Sequence, residues 1–354
     1  MASLEELKKD NVEFRTSEIV EFLDVMLLTA DKERLTDFAE KADFKPDDQL
    51  INMIDDLKEK NSNYLQNELN YFFNIDFPIG YIFGAKVLAQ NPALSSVEEF
   101  ITAVKEAETT ELFLAVTDQL FDLEESVNST AELLELVKKS DLQKNKERLI
   151  NCLQHPEEIK GRWELMLEQF YKIGYQNIVA VLPEDITKYK TKYQNKFQKQ
   201  PDHFINQYLK FNHYLKIETK SCKEQKVYIY VSYCKQFGVG FGRDDDTLII
   251  IMGAYNDQLA GTNILKKRIK KLFKALSDEK RLTILELLKE RSWYGHELAE
   301  ELDLTPATIS YHTTLLAEID IIDLELRENR SYLSLNESKI EDLFNEAKTL
   351  LFPE

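Results

Sequence analysis

The sequence predicts a mainly α chain of α+β class. A helical N-terminal domain is expected over 1–210. A small antiparallel β segment and connection follow over 211–263, and a further compact domain covers 264–354. Three observations carry this reading. The 354 residues include only ten Gly and eight Pro, so few breakers interrupt long helices. Apolar residues recur at helical spacing from about 17 to 210. After about 211 the pattern changes to short β-branched and aromatic runs, and after 264 the helical period returns.

The elements follow in order. Val12-Glu13-Phe14 reads as a short strand. Ile19, Phe22, Leu23, Met26 and Leu27 mark the first helix, and Leu50, Ile54 and Leu57 a later one. Ser95-Ser96 and Ser129-Thr130 stand before acidic first turns and read as helix starts. Asn91-Pro92 and Phe77-Pro78-Ile79-Gly80 punctuate. His213–Glu218, Lys226–Tyr233 and Thr247–Ile251 read as strands, with a turn at Asp244-Asp245-Asp246. Gly238, Gly240 and Gly242 alternate within this stretch, a pattern that marks a bulge or close packing. The Tyr and Phe residues concentrated in 1–263, such as Tyr71-Phe72-Phe73 and Phe170-Tyr171, fill ordinary cores or line an apolar pocket.

Composition narrows the class. With 43% hydrophobic and 31% charged residues the chain is ordinary globular material. Cys152, Cys222 and Cys234 are scattered and form no CxxC pair, which argues against a disulfide framework or a thiolate metal site. No apolar run reaches a membrane span and the first residues lack a signal-peptide pattern, so a cytoplasmic protein is expected. There is no P-loop, no dinucleotide glycine fingerprint and no HExxH, so the chain is not expected to be an enzyme and no cofactor is expected.

The 264–354 region is the most organised. Leu265, Ile269, Leu272, Phe273 and Leu276 give its first helix an apolar face. Lys266, Lys267, Lys270, Lys271 and Lys274 form a stripe beside it. Ser277-Asp278-Glu279 caps a second helix carrying Leu282, Ile284, Leu285, Leu287 and Leu288. His296–Leu302 is a third helix. Asp303-Leu304-Thr305 makes a tight turn, and a fourth helix begins with Thr305 as N-cap and Pro306 at its first position. Leu298, Leu302, Leu304, Ile309 and Leu316 are spaced to pack between these two helices. A helix-turn-helix results. Ile321–Leu326 and Ser331–Leu335 read as two strands with Arg327-Glu328-Asn329-Arg330 at their tip, which completes a winged helix-turn-helix domain.

The outward face of the fourth helix carries the functional signal. Thr305, Thr308, Ser310, Tyr311, His312 and Thr314 crowd it and none is acidic, whereas a solvated helix in this chain would normally carry Glu and Lys. Hydroxyls and a tyrosine can hydrogen-bond phosphates and base edges in a major groove. Arg327 and Arg330 can reach the backbone or minor groove alongside. The plainer alternative is a solvated Thr-rich helix followed by an exposed hairpin.

Phe273–Leu285 resembles the opening of the ArsR-type (arsenic-repressor-like) winged-helix family, and Leu304–His312 is similar to that family's recognition helix. The resemblance covers about a quarter of the chain. It implies a homodimeric, sequence-specific regulator, expected to be a repressor, bound to a palindromic double-stranded DNA operator. Base and phosphate contacts would fall on Thr308, Ser310, Tyr311, His312 and Thr314, and wing contacts on Arg327 and Arg330. Thr313 departs from the usual apolar residue, Thr314 from a common basic one, and Ile319-Asp320 from Ala-Gly. The family's metal ligands are absent: His296-Glu297-Leu298-Ala299 stands where a cysteine pair is expected, and Glu337–Leu351 has no histidine. No metal sensing is expected.

Charge opposes the DNA reading. The net charge is −18. Residues 264–354 hold 14 Lys/Arg and 18 Asp/Glu, a net of −4, leaving 45−14 = 31 basic and 63−18 = 45 acidic residues, a net of −14, in 1–263. Phosphate contacts usually supply much of DNA affinity. An alternative therefore stands: a protein-interaction module whose winged helix binds a protein partner. Residues 1–263 are expected to hold an input, a small-molecule or protein effector, or a dimerisation platform.

Overall fold

The computed structural model describes residues 9–33, 36, 39, 45–74, 77–120, 127, 129–140, 146–182, 186–209, 226–244, 246–257, 263–319, 321–327 and 330–352. The strand expected at 213–218 lies outside them. The chain divides into two compact units, Met1–Gln258 and Leu259–Glu354.

The first unit opens on strand β1 (Val12–Arg15) and helix α1 (Glu18–Ala30). Helices α2 (Asp48–Lys60), α3 (Asn63–Phe72), α4 (Ile79–Gln90), α5 (Val97–Glu106), α6 (Thr109–Leu120) and α7 (Thr130–Lys139) follow. Then come α8 (Lys146–Gln154), α9 (Pro156–Val181), α10 (Thr187–Lys199) and the single turn α11 (Pro201–Phe204). Serine hydroxyls set the starts: Ser96 accepts from Glu99 N at 3.2 Å and Ser129 from Glu132 N at 3.2 Å. Strands β2 (Lys226–Ser232), β3 (Val239–Asp244) and β4 (Thr247–Gly253) close the unit.

The sheet runs β1-β2-β4-β3. The β3–β4 hairpin is antiparallel and turns at the aspartate run, as expected. The rest differs: β2 lies parallel to β4 (Ile229 opposite Ile250), and β1 lies parallel to β2 (Phe14 opposite Ile229). The reason is visible in the residues. Val227–Ser232 and all of β4 are buried, so neither strand keeps a solvent face. Continuous apolar runs of this kind belong to central strands covered on both sides. Helix α1 packs on β2, α4 on β3 and β4, and α10 on β1 and β2.

The glycines of β3 let α4 come close. A Cβ on Gly242 would sit 2.6 Å from both the Cβ and the carbonyl oxygen of Ala85, and one on Gly240 would sit 3.1 Å from the Tyr81 ring. The aromatic residues mostly fill the core. Phe83 stacks edge-on against both Phe113 and Trp163 at 5.2 and 5.3 Å, and Phe14 packs on Phe197 and Phe204.

Two acids of α1 are buried, Glu21 and Asp24. Glu21 accepts from Ser232 Oγ (3.0 Å), Tyr233 N (2.8 Å) and Cys234 N (2.7 Å), and so ties α1 to the end of β2. Asp24 accepts from Tyr81 at 2.9 Å and from Lys235 at 3.2 Å. Burial outweighs these donors for Glu21 and pushes its pKa from 4.5 up to about 7.

The second unit contains α12 (Asn263–Leu276), α13 (Glu279–Glu290), β5 (Trp293–Tyr294), α14 (Gly295–Glu301), α15 (Pro306–Ala317), β6 (Ile322–Arg327), β7 (Arg330–Leu335) and α16 (Glu337–Leu351). Its antiparallel sheet runs β5-β7-β6. One core joins Leu272, Ile284, Leu288, Leu298, Ile309, Leu316, Ile321, Leu333 and Leu343.

Two expectations follow for the first unit. Gly242→Ala drives a methyl into the Ala85 backbone and should cost about 1–3 kcal/mol in urea unfolding. Glu21 binds its proton more tightly folded than unfolded, so its contribution is full below about pH 4.5 and is lost as pH rises through about 7. Stability should fall by a few kcal/mol across that window, and Glu21→Gln should flatten the fall, read by unfolding at both ends.

Candidate nucleic-acid interface

The site rests on the turn between α14 and α15. Leu302 N and Leu304 N donate to Leu298 O (3.1 Å) and Ala299 O (2.9 Å), closing the end of α14. Asp303 takes φ 50°, the left-handed region that short polar side chains tolerate best after glycine. Thr305 then caps α15: its Oγ1 accepts from Thr308 N at 3.2 Å and lies 2.8 Å from Thr308 Oγ1. Pro306 occupies the first turn.

A buried arginine braces the helices below. Arg281 donates from Nε to Ala275 O and from Nη2 to Lys274 O, both at 2.7 Å, which satisfies terminal carbonyls of α12. Asp278 caps α13 through Arg281 N at 3.1 Å, and that backbone bond holds its carboxyl below the usual range. Trp293 Nε1 donates to Leu287 O at 2.8 Å and fixes β5 to α13. Nothing in the sequence marks Arg281 or Trp293 for these tasks, because a polar atom's partner six or seven residues away leaves no periodic mark.

Helix α15 sorts its residues by face. Ile309, His312, Thr313 and Leu316 are buried. Thr305, Ser310, Tyr311 and Thr314 are exposed, Tyr311 at 62%, and Thr308 is half-buried. His312 therefore requires correction. It was expected on the outward face, but it stands three residues after Ile309 and four before Leu316, and that spacing turns it inward. It is 7% exposed, with Nδ1 3.7 Å from Asp278 Oδ1. Thr313, the departure from an apolar residue, is also buried, and its hydroxyl donates to Ile309 O at 2.9 Å. Thr314 donates likewise to Ser310 O at 2.7 Å.

In the wing, Arg327 pairs with Arg330 as the last rung of β6 and β7. Their side chains, Glu328 and Asn329 lie outside the described residues, as do Asp320 and the side chains of Leu265 and Lys267. Lys266, Lys270, Lys271 and Lys274 are exposed along α12. Phe273, expected in the apolar face of that helix, is instead 47% exposed, and Leu282 on α13 is also exposed. His296 is exposed and stacks tilted on Tyr294 at 5.5 Å. Among the described residues no three His, Cys, Asp or Glu side chains gather as metal ligands, and no helix is long and apolar enough to cross a membrane.

A helix-turn-helix whose second helix presents an acid-free exposed face, followed by a two-stranded wing, defines the winged helix-turn-helix class of DNA-binding regulators. The family model described as bacterial regulatory protein, arsR family, matches residues 278–323. The chain is 32% identical over 89 residues to the arsenical resistance operon repressor of Bacillus subtilis (strain 168), covering 25% of this chain and 85% of that protein. It is also 32% identical over 74 residues to the transcriptional repressor SdpR of the same organism, covering 21% of this chain and 82% of that one. Through its C-terminal unit, the chain belongs to the arsR family of bacterial regulatory proteins.

The turn makes its own test. Asp303→Val should cost about 1–2 kcal/mol and Asp303→Gly should be neutral or stabilising, because a β-branched side chain opposes a positive φ most and glycine not at all. Thr305→Ala should cost about 1 kcal/mol. Hydrogen exchange at the α14 and α15 amides reads all three.

Proposed function

We propose that this DNA-binding regulator acts as a homodimeric repressor, with α15 in the major groove of a palindromic operator and the wing at 327–330 on the backbone or minor groove. The observation that carries the reading is the outward face of α15, where Thr305, Ser310, Tyr311 and Thr314 are exposed in a chain otherwise dense in acids. Thr308 sits at the edge of that face, and Arg327 and Arg330 stand where a wing meets DNA. His312 is given a positioning role: buried beside Asp278, it sets how α15 rests on α13. Repression is supported by the names of the two relatives. Dimerisation is supported by exposed apolar side chains, Phe273 on α12 and Phe344 and Leu351 on α16, two helices that pack against each other.

The division of labour gives 264–354 the DNA and the helical 1–210 and β-containing 211–263 regions the input, an effector small molecule or protein. A regulator of this kind works in the cytoplasm beside the DNA, and no catalytic role is assigned to the N-terminal unit. The acidic balance of 264–354 favours one second reading, in which the same face binds a protein partner.

Selection from a random duplex pool separates the two. An inverted repeat should be enriched, and Tyr311→Ala and Arg330→Ala should each weaken binding to it about tenfold or more. Raising salt should weaken binding less than for a basic domain, because few phosphates are met by cations. No enrichment at low salt would favour the protein-partner reading.

A further inference from the structure

His312 is buried in the middle of α15, and one of its ring nitrogens is stranded. Its Nδ1 is covered from solvent and makes no hydrogen bond. It lies 3.7 Å from Asp278 Oδ1, too far for a hydrogen bond but within reach of an ion pair. That oxygen is already engaged, since it accepts from Arg281 N at 3.1 Å as the cap of α13. The cap bond holds the Asp278 carboxyl below its usual range, so it is an anion near neutrality. A neutral imidazole leaves Nδ1 unpaired beside that anion, and burying a polar atom unpaired is costly. An imidazolium satisfies both groups.

The other groups around the ring do not replace Asp278. Helix α15 packs on α13, α14 and β6. On α13, Arg281 commits its guanidinium to Ala275 O and Lys274 O at 2.7 Å each. Its positive charge acts on the same carboxyl as that of His312, so it competes with the imidazolium. On α15 itself the Tyr311 ring stands edge-on to the imidazole at 5.4 Å. Among the described residues, α14 and β6 place no acid in ion-pair contact with the ring. Asp278 is the acid that answers a proton on His312, and with 35% of its side chain exposed it keeps the pair open to protons from solvent.

We propose that His312 and Asp278 form a proton-operated latch that couples acidity to DNA reading by α15. Uptake of a proton from solvent makes both ring nitrogens donors, and Nδ1–H then donates to the Asp278 carboxylate across the gap between them. The closed latch ties the centre of α15 to the start of α13 and steadies Tyr311, the neighbour of His312, on the outward face. It also places one positive charge behind a face that meets phosphates. Both effects favour binding at the acid end, and both are lost as pH rises through the range in which histidines give up their proton. The coupling to DNA rests on the function proposed above; the latch itself does not.

The test compares the full wild-type chain with Asp278→Asn, which keeps the cap of α13 and removes the anion, and with His312→Gln. Affinity for an enriched duplex is measured at constant ionic strength from about pH 7.5 to about pH 5.5. Wild-type affinity should rise about threefold or more beyond the rise in either variant, and the double variant should match the single ones. The comparison cancels protons taken up elsewhere, Glu21 included. A rise in either folded variant equal to that of wild type overturns the coupling. Circular dichroism checks folding, and Asp278→Asn carries the test alone if His312→Gln is unfolded. Hydrogen exchange without DNA reads the latch by itself. After correction for intrinsic rates, protection of the α15 amides should increase toward acid in wild type and not in Asp278→Asn. Equal behaviour there overturns the latch whether or not a duplex is found. Increased protection with no duplex enriched upholds the latch and counts against the DNA reading instead.

Discussion

Four residues between α14 and α15 fix the geometry on which the DNA-reading unit depends. Two backbone bonds close α14, Asp303 reverses the chain through a left-handed conformation, and Thr305 opens α15 by capping it. Each device satisfies a backbone group that the helix ends would otherwise leave unpaired. With the turn set, Leu298 and Ile309 meet in one core, and the opposite face of α15 must point outward. The chemistry available to that face is then decided by which residues remain: hydroxyls and one tyrosine.

Buried polar groups act as braces around this arrangement. Arg281 satisfies carbonyls of α12, Thr313 satisfies its own hydroxyl within α15, and Trp293 ties the sheet to α13. The N-terminal unit uses a comparable device on a larger scale, where Glu21 gathers three donors at the end of β2. In each case a group that costs free energy to bury is held by a hydrogen-bond partner, and for Arg281, Thr313 and Glu21 by more than one, which fixes one packing over its neighbours.

Much of the C-terminal unit was legible because its signals are local. Helical spacing, the Asp278 and Thr305 caps, Pro306 and the alternation in the wing are all written within a few residues of one another. His312 shows where a local reading went astray. Counting polar residues placed it outward, while its spacing from Ile309 and Leu316 already placed it inward. The N-terminal sheet was less legible because strand partners are distant in the chain. Nothing near Val12 announces that it pairs with Val227, and the parallel order follows only from burial on both faces of β2 and β4.

The hydroxyl-rich face of α15 also bears on how such a protein shares its time between a genome and the surrounding solution. Proteins with strongly cationic domains spend most of their existence on arbitrary DNA, held by released counterions, and search by sliding. On the function proposed above, a domain with a net charge of −4 that meets base edges chiefly through neutral side chains would have little hold on arbitrary sequence. Its molecules would then remain free in solution, and the vast excess of competing chromosomal sites would sequester few of them. A small number of copies would suffice to keep an operator occupied, with arrival there by three-dimensional diffusion and direct encounter.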